Sequence, residues 1–239
     1  MTDAWRRTST ATPEGLAADP RNDRLARFPR VRLEPEVLRD QALAVSDLLV
    51  RTKHGPPVYP PQPDGVWRSP YNDARWTNST GDDRFRRSVY TYWKRTAPHP
   101  TMTLFDAPSR EVCTSRRLAT NTPLQALVGL NDPIFQEAAL GFGRRIQGLS
   151  GDERAQLTEG FRLLTGRTPS MLEVQRLQDT LDKARRHYAD RPEEAAAFVA
   201  AFAEARRVEV DREMSAEEES AWALVASVLL NLDEVLCRG

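Results

Sequence analysis

The sequence predicts a mainly α-helical fold, a helical bundle-like domain with a long ordered loop region in its first half. Three observations carry this prediction. Apolar residues recur at helical spacing through the last third of the chain. Several of these segments begin with Ser, Thr or Asp at a helix-capping position. Apolar residues also make up 40% of the 239 residues, enough to form a buried core.

The domain organisation follows from the placement of prolines, glycines and aromatic residues. We expect an irregular N-terminal segment at residues 1–30 and a single mainly helical domain at residues 31–239, with a loop-rich insert at about 55–120. The first part of the insert contains the aromatic residues Tyr59, Trp67, Tyr71 and Trp76. Because disordered segments are poor in aromatic residues, we expect this loop to be ordered.

Helical periodicity and capping residues predict helices at most of the remaining positions. In chain order they cover residues 35–53, 123–130, 133–147, 152–165, 170–189, 192–207 and 216–236. Thr122 before Pro123 and Asp132 before Pro133 are strong start signals, because each joins a capping side chain to a first-turn proline.

The segment 84–96, RFRRSVYTYWKRT, is ambiguous between helix and strand. Its aromatic residues share one helical face, so we interpret it as a helix with solvated arginines over packed aromatic side chains. A strand remains open, because the run VYTYW is rich in β-prone residues. A single-stranded nucleic acid surface is the less favoured interpretation of this basic and aromatic segment.

Composition excludes several classes of protein. The chain carries 34 basic and 34 acidic residues, so its overall charge gives no reason to expect nucleic acid or an anionic membrane as partner. No apolar run approaches the ~20 residues that span a bilayer. The N-terminus lacks the apolar centre of a secretion signal. The chain as written is therefore expected to be soluble, with its location unknown.

Cysteine and histidine usage gives no support for a cofactor, a metal or nucleophilic catalysis. No C-x-x-C-H is present for haem attachment, and no H-x-x-x-H or H-E-x-x-H motif for a metal, so we expect neither group in this chain. We interpret Cys113 as a buried inert thiol. A triad built from His99, Asp106 and a nearby serine lacks the G-x-S-x-G turn that would support it.

The chemistry-bearing candidates lie in a basic stretch, Arg84–Arg117, which holds eight basic and two acidic residues. The proposed polar cluster consists of Asp106, Arg110, Arg116, Arg117 and Asn121. One interpretation is a ligand site in which arginines bind a carboxylate, sulfate or phosphate. The favoured alternative is a structural network that anchors the loop. In that network Arg116 or Arg117 is expected to pair with Asp106 or Asp132.

Five segments carry a resemblance to a known family. They are RDQALAVSDLL (Arg39–Leu49), PPVYPPQPDGVW (Pro56–Trp67), the long stretch Arg86–Ala139, FRLLTGRTPSMLEV (Phe161–Val174) and WALVASVLLNLDEVL (Trp222–Leu236). On these motifs the chain resembles the C-terminal domain of unknown function of planctomycete-type, cytochrome-c-containing surface proteins.

The resemblance implies that this domain follows an export signal, a haem segment and a companion domain, none of which this chain contains. Haem is thus expected only in upstream segments, and relatives are expected to be exported or surface-associated. Two functions stay open: an interaction or scaffold domain for the companion domain or a surface protein, and a hydrolase-like component acting on an anionic, sulfated polysaccharide. Whether the chain is an enzyme is undecided. For docking, we expect an exposed apolar patch, located at the aromatic loop.

Overall fold

The computed structural model describes residues 3, 7–63, 65–66, 75–208 and 214–238. Its helices are α1 (Pro13–Ala18), α2 (Pro35–Val45), α3 (Pro100–Leu104), α4 (Pro123–Asn131), α5 (Pro133–Gln147), α6 (Glu153–Thr165), α7 (Met171–Ala189), α8 (Pro192–Ala201), α9 (Ala216–Leu230) and α10 (Asp233–Leu236). The one sheet in the described residues pairs two short strands, β1 (Val31–Arg32) and β2 (Cys237–Arg238), in antiparallel orientation. The prediction of a mainly α-helical fold is confirmed.

The predicted helix starts are confirmed by their hydrogen bonds. At α4, the Thr122 hydroxyl accepts from the backbone N–H of Gln125, and the Gln125 side chain accepts from the backbone N–H of Thr122, which completes a capping box. The same reciprocal pair forms between Ser170 and Glu173 at α7. At α5, Asp132 accepts from the N–H of Ile134 at 2.9 Å. These caps satisfy donors that the first turn of a helix leaves unpaired.

The core is built around α5 and α9, which pack closely along their lengths. Phe142 on α5 and Trp222 and Leu229 on α9 are buried in the largest hydrophobic cluster. The two helices approach closely at Gly143, where an added Cβ would lie 2.8 Å from both the Trp222 carbonyl carbon and the Ala223 nitrogen. A glycine at this position therefore allows the backbones of α5 and α9 to meet.

The helix predicted at 35–53 ends early, at Val45. Asp47 adopts a left-handed conformation with φ of 60°. The N–H of Leu48 then donates to the Leu43 carbonyl at 2.9 Å, and the N–H of Asp47 to the Ala44 carbonyl at 3.2 Å. This is the hydrogen-bond pattern of a Schellman motif, and the buried Leu43 and Leu48 supply its apolar contact. The stop was missed because aspartate occupies the position where glycine is usual.

The predicted helix at 84–96 is wrong, and the prediction of solvated arginines fails for Arg84 and Arg86, although Arg87 is 56% exposed. The segment forms short 3₁₀ turns at Gly81–Phe85 and Ser88–Tyr90, with an isolated parallel bridge from Arg86 to Val50. Arg86 is buried, at 3% exposure. The buried Arg39 of α2 donates to the carbonyls of Arg84 and Arg86, which an α-helix through this segment would use internally.

The last part of the chain also departs from the predicted helix ends. The helix predicted at 192–207 is α8 followed by a 3₁₀ turn at Ala203–Arg207. The helix predicted at 216–236 is divided into α9 and α10, and the chain then continues into β2. Pairing of Arg32 with Cys237 joins the two ends of the domain. Within the segment expected to be irregular, α1 forms one short turn capped by Thr12.

None of the helices in the described ranges combines the length and the apolar composition that crossing a bilayer requires.

Candidate functional site

The structure divides the five residues of the predicted polar cluster among three places. Asp106, Arg116 and Arg117 line a narrow groove of about 170 Å³. Asn121 lines a neighbouring, larger cleft of about 630 Å³. Arg110 instead stacks over the Trp93 ring, with its guanidinium carbon 4.4 Å from the ring centroid. The five side chains thus do not converge on a single cavity.

Arg117 makes the carboxylate pair that the loop-anchor interpretation predicts, but with different partners. Its Nη1 lies 2.7 Å from Glu36 Oε2 and its Nη2 lies 3.1 Å from Glu36 Oε1, and Glu34 is 3.2 Å away. Burial alone would raise the pKa of Glu36, and the hydrogen bonds and charge of Arg117 lower it overall. The partners predicted, Asp106 and Asp132, were wrong, and the loop is anchored to the first turn of α2 instead.

Asp106 is held by neutral groups. Its Oδ2 accepts from the backbone N–H of Thr120 at 2.7 Å and from Gln125 Nε2 at 3.3 Å. Asp132 likewise accepts from the Thr101 hydroxyl and caps α5, and burial raises the pKa of its carboxyl group. Both aspartates therefore serve loop and helix geometry rather than a charge pair with Arg116 or Arg117.

Gln125 is the centre of a polar network that the sequence did not reveal. It is only 1% exposed. Its Nε2 donates to the Leu104 carbonyl at 2.9 Å and to the Thr120 hydroxyl at 3.1 Å, and its Oε1 accepts from Arg32 Nη2 at 3.0 Å. The network ties β1 to the loop 105–121 and to the start of α4. The one available signal was the glutamine at the third position of a capping box.

The larger cleft lies beside this network, between β1, the start of α4 and the C-terminal segment. We call it the Arg32 cleft. Its lining comprises Arg30, Arg32, Ala119, Thr120, Asn121, Ala126, Asn231, Asp233, Leu236 and Cys237. Arg30 pairs with Asp233 across its rim. Arg32 also lines the narrow groove, so the two depressions adjoin at this residue.

The outward surface of α4 is apolar, and on its inward surface only Val128 packs an apolar side chain of any size against the core. Leu124, Leu127 and Leu130 are 51%, 56% and 37% exposed, and we call them the α4 leucine face. The buried positions of the same helix are Gln125 and Gly129. A surface helix of a globular protein normally directs its apolar side chains to the core. On α4 this arrangement is partly inverted, because three leucines face outward.

The structure describes two of the four residues of the predicted aromatic patch, and both are half-buried. Tyr59 is half-buried, stacks on Tyr92 with ring centroids 5.0 Å apart, and meets the edge of Trp76. Trp76 is also half-buried and its Nε1 donates to the Pro60 carbonyl at 2.9 Å. Trp67 and Tyr71 lie outside the described residues.

The described residues offer binding groups rather than a recognisable catalytic set. Cys113 is exposed, which corrects the prediction of a buried thiol, and Cys237 is half-buried. His99 is fully buried, and its Nε2 lies 3.1 Å from the Pro61 carbonyl rather than next to Asp106. Within the described ranges, no three His, Cys, Asp or Glu side chains are grouped as a metal site would need.

His99 is expected to make stability depend on pH. Burial lowers its pKa from 6.5 to about 4, and the nearby Arg39 charge adds to this, against the opposing hydrogen bond to Pro61. Between pH 6.5 and about pH 4, the imidazole of His99 therefore binds a proton in the unfolded chain but not in the folded chain. Above pH 6.5 the titration of His99 leaves the free energy of unfolding unchanged. As the pH falls from 6.5 to about 4, His99 should lower the free energy of unfolding by about 3 kcal/mol.

Urea unfolding from pH 7.5 to 4 of the wild-type chain and of His99→Gln measures this effect. Glutamine retains a donor for the Pro61 carbonyl but does not titrate. Burial raises the pKa values of Asp132 and Glu137, which act in the opposite direction, so the difference between the two profiles isolates His99. The exposed His187→Gln should keep the wild-type profile. Parallel wild-type and His99→Gln profiles would contradict the prediction.

Comparison with known families identifies the chain at the level of its family. The model of PSD1, described as a protein of unknown function (DUF1553), matches residues 1–181. Because the match spans more than half of the 239 residues, the protein belongs to this family. No curated protein and no solved structure matches the chain. The match covers β1, α4 and the loop 105–121, whereas β2 lies beyond it.

Proposed function

We propose that this PSD1-family domain is a helical interaction module that docks onto a partner protein through the α4 leucine face. The single observation that carries the proposal is the partly inverted orientation of α4, with Leu124 and Leu127 more than half exposed and Gln125 buried. Each half-exposed leucine that becomes covered by an apolar partner contributes about 1 kcal/mol. Two such leucines together contribute about 2 kcal/mol, which corresponds to a roughly thirtyfold tighter dissociation constant.

The partner we propose is the companion domain that precedes this domain in the surface proteins that the sequence resembles. In that arrangement haem belongs to the upstream part of the assembly and not to this chain. The composition supports a protein partner over a polyanion, because 34 basic residues are balanced by 34 acidic ones. An apolar face on a single short helix fits a groove or helix of the partner.

Docking is tested by calorimetric titration of the purified chain with a purified companion domain from a longer protein of this class. We expect the wild-type chain to bind and the double variant Leu124→Ser/Leu127→Ser to bind roughly thirtyfold more weakly, since both leucines leave the interface. Leu172→Ser is the matched control, because Leu172 is 60% exposed but lies on α7. Absence of wild-type binding, or equal binding by the double variant, would refute the proposal.

A second candidate function is a hydrolase-like role on an anionic, sulfated polysaccharide. The observation that favours it is the pair of adjoining depressions that meet at Arg32, one of which also contains Arg116 and Arg117. Arg117 is committed to Glu36, so Arg32 and Arg116 are the cations left for a polymer. Release of new reducing ends from a sulfated polysaccharide, lost in Arg116→Gln, would favour this role over docking.

A further inference from the structure

Arg32 has no paired carboxylate among the described residues, unlike Arg30 on the same wall of the cleft. In the part of the chain that the structure describes, its contacts are Gln125 Oε1 at 3.0 Å from Nη2 and Cys237 Sγ at 3.8 Å from Nη1, both neutral acceptors. Its Nε is buried and has no hydrogen-bond partner. Arg30 on the same strand end, by contrast, pairs with Asp233. Arg32 therefore presents a partly desolvated positive charge that is not paired with a carboxylate of the described ranges.

The surroundings of Arg32 add groups that can bind a polar ligand. The cleft of about 630 Å³ has the size of a small-ligand pocket, and its wall includes the amides of Asn121 and Asn231 and the hydroxyl of Thr120. Its single lining carboxylate, Asp233, is engaged by Arg30. The first turn of α4 begins at the same wall, and its dipole favours negative charge there. The size of the cleft, the positive charge of Arg32 and the polar groups of the wall thus all favour a small, negatively charged polar ligand.

We propose that the Arg32 cleft binds an oxyanion, the carboxylate or sulfate group of a small hydroxylated ligand. A guanidinium group has five N–H donors in a planar fork, and the two contacts described leave donors of Arg32 for a planar or tetrahedral oxyanion. Asn121 on the same wall binds a hydroxyl group beside it, whereas the Thr120 hydroxyl is engaged with Asp106 and Asn231 Nδ2 with the Ala126 carbonyl. This site is separate from the α4 leucine face, and its occupation does not depend on docking.

The test uses the full chain and three defined salts, sodium glucuronate, sodium sulfate and sodium chloride, at equal ionic strength. Calorimetric titration should give saturable binding of glucuronate, sulfate or both, relative to chloride. Binding of glucuronate alone identifies a carboxylate ligand, and binding of sulfate alone identifies a sulfate ester. Binding of both identifies a general oxyanion site. Arg32→Gln should weaken the affinity at least about tenfold, since a charge-assisted hydrogen bond is lost.

The double variant Arg30→Gln/Asp233→Asn is the matched control, because it removes a neutralised pair from the same cleft and leaves the net charge of the cleft unchanged. Its affinity should stay within about twofold of the wild-type value. Equal binding by Arg32→Gln and by this double variant, or no difference from chloride in the wild-type chain, overturns the proposal.

A measurement on the wild-type chain covers the case in which Arg32→Gln fails to fold. Titration with the same anions, followed by NMR, should shift the side-chain amides of Asn121 and Asn231 and the backbone amide of Thr120 in a saturable manner. Shifts spread over exposed basic residues elsewhere, with these three unchanged, count against the site.

Discussion

Arg144→Ala is expected to lower the free energy of unfolding by about 3–5 kcal/mol, because it removes a buried counter-charge that is in direct contact with a buried carboxylate. Arg144 Nη1 lies 2.7 Å from Glu219 Oε1, and the two side chains are 9% and 1% exposed. Arg144 Nε also donates to the Val208 carbonyl at 3.0 Å. The residue thus joins α5, α9 and the segment after α8 at the centre of the core.

Urea unfolding followed by circular dichroism measures the loss. The double variant Arg144→Met/Glu219→Leu should be much less destabilised than Arg144→Ala, because it removes both charges and retains apolar volume. Arg162→Ala serves as a surface control, since Arg162 pairs with Glu159 at the solvent-exposed surface of α6, and its midpoint should be unchanged. A loss below about 1 kcal/mol in Arg144→Ala would show that the pair does not carry this part of the core.

Local signals were sufficient for the helices whose starts are encoded in consecutive residues. Thr122, Asp132 and Ser170 each cap the predicted helix, because the cap and its target N–H lie within three residues of each other. The apolar spacing of the α5 and α9 segments likewise predicted that both are helical. These features depend on interactions inside one turn, so they can be recognised from a short stretch of sequence.

Features set by distant residues could not be predicted in this way. The segment 84–96 is not helical because Arg39, 45 positions from Arg84, donates hydrogen bonds to the backbone carbonyls of Arg84 and Arg86. The Arg32 cleft depends on contact with Cys237, 205 positions away. Asp47 ends α2 in a left-handed conformation. The packing of Leu43 against Leu48 stabilises this conformation more than the intrinsic preference of aspartate does.

At the candidate site, too, nearby residues predicted some features and distant residues determined the others. The sequence correctly predicted that Arg116 or Arg117 pairs with a carboxylate, but the predicted partners lie near these residues in the chain, whereas Glu36 lies 81 positions from Arg117. It also assigned Asp106 a charge partner, while the structure gives it hydrogen-bond donors. Residue types predicted the chemistry of the region, and tertiary contacts decided which groups remain available for a ligand.

Arg39 holds the non-helical segment 84–88 on the core. Its Nη1 donates to the Arg86 carbonyl at 2.7 Å and its Nη2 to the Arg84 carbonyl at 2.8 Å. Burial lowers the pKa of Arg39 to about 10, so it stays charged at neutral pH, supported by the nearby Asp40 and Glu137. Arg39→Met should lose about 3 kcal/mol or more, because two carbonyls become unsatisfied.

Arg87→Met is the matched control, because Arg87 pairs with Asp40 but is 56% exposed, and it should lose about 1 kcal/mol or less. Hydrogen exchange adds a local measurement. The N–H of Ser88 donates to Asp40 at 2.6 Å and that of Val50 to the Phe85 carbonyl at 3.0 Å. Both amides should exchange faster in Arg39→Met, since the segment that they anchor loses its central donor. Protection equal to the wild-type level, with near-native stability, would mean that the aromatic packing and not Arg39 fixes the segment.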